Sequence, residues 1–100
     1  MKTIFFLSNE MHIAKYQQRE FMRTNNSSKW ERIPGRPNEF YSIYKNQTTI
    51  LKLLSNVDSR QLQGCRNFVI KRVGHWWELP NRFLDEVADI ERLEMLRQRQ

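Results

Sequence analysis

Lys2-Thr3-Ile4-Phe5-Phe6-Leu7 is the stretch on which the fold turns. Four consecutive apolar residues follow a lysine and a threonine, and Ser8-Asn9-Glu10 end the run at once. An apolar run this short, closed by polar residues, reads as a buried strand. Ser8 then stands where a helix N-cap belongs. The pattern predicts a helix over residues 9–23, with Met11, Ala14, Phe21 and Met22 turned partly inward. Polar Gln17 and Gln18 interrupt that stripe.

The far end of the chain carries the clearest periodicity. From Pro80-Asn81 onward, Phe83, Leu84, Val87, Ile90, Leu93 and Leu96 recur at steps of three and four, with no glycine or proline between them. Asp85, Glu86 and Asp89 come early and Arg97 and Arg99 late, which suits the helix dipole. A helix of about 19 residues at this end is about 28 Å long.

Between these elements, Asn25-Asn26-Ser27-Ser28 is a loop on composition. Residues 29–33 and 40–45 are rich in aromatic and β-branched side chains and flank Pro34-Gly35-Arg36-Pro37, so they read as a β-hairpin with a wide loop. Residues 48–57, with Ile50, Leu51, Leu53, Leu54 and Val57, read as a short helix. Residues 67–73 read as another strand ended by Gly74, and residues 75–79 as extended chain leading into Pro80. The expected class is α+β: a small, mostly antiparallel sheet with an N-terminal helix, a short middle helix and a long C-terminal helix. One domain is expected over residues 1–100, made of a basic body at 1–79 and the helix at 80–100.

The composition supports a folded, charged domain. Of 100 residues, 39% are apolar and 12% aromatic, enough for one core. The mean hydropathy is −0.78, the net charge +6 and the isoelectric point about 9.9. Residues 1–77 hold 13 Lys/Arg against 5 Asp/Glu, whereas residues 78–100 hold 4 against 6. A body this basic attracts anions: nucleic acid, a membrane surface or an acidic protein face. The plain alternative is a protein that happens to be basic. Cys65 is the single cysteine and cannot form an internal disulfide. The N-terminal apolar run is shorter than the about 7–15 residues of a signal-peptide core. No stretch approaches the about 20 apolar residues of a membrane span. The expected compartment is therefore the cytoplasm.

Motifs for chemistry are missing. Cys65, His12 and His75 are the only thiol and imidazoles, with no nucleophile motif around them. They lie too far apart in sequence to read as a zinc set, and the acidic run Asp85, Glu86, Asp89 and Glu91 lacks a Glu-x-x-His step. Gly35, Gly64 and Gly74 are too dispersed for a phosphate-binding loop. The expectation is a protein without catalytic site, cofactor, metal or small-molecule substrate.

Basic residues beside aromatic ones are the remaining signal. Trp30, Arg32, Arg36 and Tyr41 form one candidate partner-binding group, with Trp30 and Arg32 on one strand face and Arg36 at the loop tip. Arg72, His75, Trp76 and Trp77 form a second, in which one tryptophan faces out while its neighbour buries. Each ring is equally suited to filling the core. The C-terminal helix packs on the sheet or, at its last turn, is offered to a partner.

The opening Met-Lys-Thr-Ile-Phe-Phe-Leu-Ser-Asn-Glu-Met-His, the Arg-Ile-Pro-Gly-Arg-Pro turn and the Trp-Trp-Glu-Leu-Pro lead into the last helix resemble small accessory proteins of lambdoid phages, among them the anti-RecBCD proteins. That resemblance covers most of the chain and implies a non-enzymatic modulator. Such a protein would bind the host's helicase–nuclease RecBCD in the host cytoplasm, alter its nuclease behaviour and favour phage recombination. It assigns no residue a role. Composition and periodicity supply only a small, basic binding protein, with direct binding to single-stranded DNA or RNA as the alternative.

Overall fold

The computed structural model describes residues 1–26, 29–54 and 59–98. Strand β1 spans Lys2–Leu7 and helix α1 spans Met11–Thr24. Strands β2 (Glu31–Arg32), β3 (Phe40–Tyr44), β4 (Gln47–Leu53) and β5 (Phe68–Arg72) follow, with a 3₁₀ turn at Ser59–Leu62 before β5. A second 3₁₀ turn, Trp76–Glu78, leads into helix α2, Asn81–Gln98. The five strands form one sheet in the order β2-β3-β4-β1-β5.

The α+β class holds, but the sheet is mixed rather than mostly antiparallel. β1 lies in its interior and runs parallel to both neighbours, pairing Ile4 with Leu51 of β4 and with Val69 of β5. Only β2-β3 and β3-β4 are antiparallel. The apolar run of β1 suits this setting. Successive strand residues point to opposite faces, and both faces here are covered. Phe5 and Leu7 join Phe68, Leu79, Phe83 and Val87 in the core beneath α2. Ile4 and Phe6 join Ala14 and Leu51 beneath α1, with Phe21, Trp30 and Phe40 packed around them. Burial on two faces is the usual setting of a parallel strand.

The expected helix over residues 48–57 is instead β4 as far as Leu53, while Ser55, Asn56 and Val57 lie outside the described residues. Thr48, Thr49 and Ile50 are β-branched and favour the pleated state. Lys45 and Asn46 adopt φ of 51° and 65°, so a tight two-residue turn joins β3 to β4 and fixes Tyr44 against Gln47. Asn-Gly is the strong signal for such a turn, and Lys-Asn lacks the glycine. The expected hairpin of residues 29–33 and 40–45 is present as β2-β3, though β2 pairs over two residues only. The extended stretch expected at 75–79 contains the 3₁₀ turn instead.

The two long helices differ from expectation in detail. Ser8 is not the N-cap of α1. Glu10 holds that position, and Ser8 Oγ accepts the Glu10 N–H at 3.3 Å. Gln18, read as an interruption, is buried and donates its side-chain amide to the Asn38 carbonyl at 3.0 Å, tying α1 to the β2-β3 loop. In α2, Phe83 and Val87 are buried and Leu84 and Ile90 half-buried, but Leu93 and Leu96 are 59% and 50% exposed. The next inward position belongs to Glu94, only 5% exposed, which accepts the Asn67 backbone N–H at 2.8 Å. Asn67 has φ of 56° and opens β5. The carboxylate thus satisfies a strand-entry N–H that the sheet leaves free. Arg99 of the expected final turn lies outside the described residues.

Removing the Glu94 acceptor strands that N–H. Glu94→Ala is expected to lower unfolding free energy by about 1–3 kcal/mol, read as a reduced urea midpoint at unchanged slope. Glu94→Gln, which keeps an acceptor oxygen, is expected to lose less.

Candidate functional site

β1 and β5 end side by side, with Leu7 opposite Arg72. The carboxyl ends of parallel strands are where sheets of this kind leave room for binding. Beyond β5 the backbone passes close to the β1-α1 loop. Gly74 has φ of 61°, and a Cβ there would lie 3.0 Å from both Ile13 Cγ2 and Ser8 Oγ. A hydrogen bond from the Asn9 side-chain amide to Glu78 Oε2, 2.9 Å, joins the two loops again.

On this base stands an aromatic cluster. The Arg72 guanidinium donates to both carboxylate oxygens of Glu91 on α2, at 2.9 and 3.2 Å, and lies 5.7 Å from the Trp76 ring centre. Trp76 is half-buried and meets Trp77 edge-on at 6.0 Å and 82°. The His75 ring stacks on Trp77 at 5.2 Å and 28°, with Nδ1 3.6 Å from Glu78. Trp77 remains 58% exposed. The structure therefore brings Arg72, His75, Trp76 and Trp77 into one surface. Because the large ring is already held by its neighbours, a partner that covers it meets a smaller ordering cost.

The other expected group is not assembled. Trp30 packs half-buried against Phe21 at 6.0 Å and donates its indole N–H to the Asn25 carbonyl at 3.1 Å. It serves the core beneath α1. Arg32, opposite Phe40, lies 5.7 Å from that ring. Arg36 is exposed in the β2-β3 loop and 3.4 Å from Glu39. Tyr41, next along β3 from Phe40, faces the other side of the sheet and donates its hydroxyl to Glu31 at 2.9 Å. That hydrogen bond, with the nearby carboxylate charge, holds the phenol neutral and raises its pKa.

One surface was not anticipated. His12, Lys15, Tyr16 and Arg19 fall at helical spacing on the outer side of α1 and line one cleft of about 490 Å³. Among the described residues, no carboxylate lies within ion-pair distance of Lys15 or Arg19. Arg23 is engaged by Glu20 at 2.7 Å, a contact that lowers the Glu20 pKa. The signal was in the sequence, as the i, i+3, i+4, i+7 spacing of those four residues. The apolar stripe alone does not show it.

No protein-family model matches the chain, and no curated protein or solved structure matches it either. Among the described residues, no three or more His, Cys, Asp or Glu side chains form a group able to hold a metal ion, and no helix is long and apolar enough to cross a membrane.

Gly74→Ala is expected to destabilise the fold by about 1–2 kcal/mol from the left-handed backbone alone, with the Ile13 and Ser8 contact added. Thermal unfolding should show it to be more damaging than Gly35→Ala, where φ is also positive but the space is open. Glu31→Gln removes the charge that disfavours the Tyr41 phenolate. The Tyr41 titration followed by NMR should then move down towards the ordinary value of 10.0.

Proposed function

We propose that this chain is a non-enzymatic binding protein that docks through the Trp77 surface on a host protein complex acting on DNA. The observation that carries the reading is the exposed Trp77 ring, stacked on His75 and met edge-on by Trp76, which itself lies against Arg72. Tryptophan and arginine in such settings dominate the energetics of protein interfaces. The partner class comes from the resemblance to anti-RecBCD proteins, which puts the site of action in the host cytoplasm and the consequence in the nuclease behaviour of RecBCD. Occupancy of the partner suffices for this role, with no bond made or broken by the chain.

The experiment is a titration of purified RecBCD with the full chain, with nuclease activity followed alongside. Saturable binding is expected, and Trp77→Ala is expected to weaken it at least tenfold, about 1.4 kcal/mol. Absence of binding at micromolar concentration, or unchanged affinity for a folded Trp77→Ala variant, overturns the reading.

A second reading rests on the outer side of α1. Lys15 and Arg19, without carboxylate partners among the described residues and flanking Tyr16, match a phosphate-and-stacking surface for single-stranded nucleic acid. On that reading, affinity for an oligothymidine falls steeply with salt. Lys15→Ala with Arg19→Ala then reduces the log–log salt slope by about 1.4, at about 0.7 per phosphate contact. A slope that does not change removes α1 from the interface.

A further inference from the structure

We propose that the outer edge of β5 accepts an extended, acidic segment of a partner protein as a sixth strand. The inference is separate from the Trp77 reading and stands without it. β5 closes the sheet on one side and pairs with β1 alone. The direction of its backbone groups follows from two hydrogen bonds. Asn67 accepts from Thr3 N–H at 3.1 Å, and Val73 donates to the Leu7 carbonyl at 2.9 Å. Residues alternate along a strand, so Val69 and Lys71 bond towards β1. The N–H and C=O groups of Phe68, Ile70 and Arg72 point outward. Among the described residues they form a row of unpaired donors and acceptors, the template used in strand addition. The opposite edge of the sheet, β2, is only two residues long and offers no comparable row.

One flank of this edge leaves room beside an added strand. On the α1 side a cleft of about 500 Å³ runs beside β5, lined by Phe6, Gln17, Phe21 and Val73, with Val69 40% exposed nearby in the strand. On the α2 side, Leu84, Glu91 and Met95 share one flank of the helix, and Glu91 reaches Arg72. Side chains of an incoming strand that turn to the α1 side would enter the cleft there.

Charge selects the occupant. Lys71 has no carboxylate within ion-pair distance among the described residues, and its ammonium rests instead 5.3 Å from the Phe21 ring. The nearby carboxylates Glu20 and Glu91 are already engaged by Arg23 and Arg72. A second copy of this chain would bring another set of the same cations to the edge, and an edge lysine is a device against such self-pairing. An acidic extended segment neutralises Lys71 while completing the hydrogen bonds.

The test uses the full-length chain and a synthetic peptide of about ten alternating glutamate and valine residues, with a control N-methylated at alternate amides so that it cannot form a ladder. Hydrogen exchange of the Phe68, Ile70 and Arg72 amides, followed by NMR, should slow at least tenfold on saturation with the peptide and stay unchanged with the control. Lys71→Glu, an exposed substitution whose fold is checked by its amide spectrum, should weaken peptide binding about tenfold. Trp77→Ala should leave peptide binding intact, which separates this proposal from the docking surface above. Equal binding of the N-methylated control, or peptide-induced changes confined to other elements, overturns the proposal. Protection of those three amides that grows with protein concentration alone also overturns it, because the edge is then occupied by a second copy.

Discussion

Phe5 and Leu7 pack beneath α2 while Ile4 and Phe6 pack beneath α1, so four successive side chains of one strand leave water in two opposite directions. Each contributes about 1.5–3 kcal/mol of burial, and none can be moved without uncovering a helix. The parallel pairing with β4 and β5 suits this burial, because parallel strands are usually covered on both faces. So do the positions of the two helices, one on each side of the sheet. The antiparallel strands β2 and β3 are an extension of this centre, held to it through β4.

How much of this could be read beforehand depended on whether local or long-range forces decide a segment. β1, α1, β5 and α2 each carry their own pattern and fall within a few residues of expectation. β4 does not. Leu51, Leu53 and Leu54 suit a helix as well as a strand, and only pairing with β1 and the turn at Lys45-Asn46 settles the state. The direction of the central pairing was hidden for the same reason: consecutive apolar residues announce burial but not the orientation of the neighbours. In α2 the six-residue apolar repeat points inward only as far as Ile90. There the helix passes the entry of β5, and a backbone N–H needs an acceptor more than the core needs a leucine, so Glu94 takes the inward place.

The candidate surface was half legible for a related reason. Arg72, His75, Trp76 and Trp77 are neighbours in sequence, and one 3₁₀ turn suffices to gather them. Trp30, Arg32, Arg36 and Tyr41 span a loop and two strands, and the pleat sends Tyr41 to one face while Arg32 and Trp30 stay on the other. An indole beside arginines looks the same in sequence whether it meets solvent or, as Trp30 does, the ring of Phe21. The basic side of α1 shows the converse, since its four residues become a surface only once the helix is known to lie against the sheet by its other side.

The pairing of β1 also bears on how the chain reaches this state. Lys2 meets Thr49 and Thr3 meets Phe68, so this interior strand is completed by segments that follow it at a long distance along the chain. Closing such wide loops costs entropy before any contact repays it, and topologies of this kind fold slowly. During synthesis the Ile4-Phe5-Phe6-Leu7 run therefore emerges before either lateral partner, and its pairing is incomplete until β5 has left the ribosome. Over that interval it is the segment of this chain most in need of shielding from other unfolded chains.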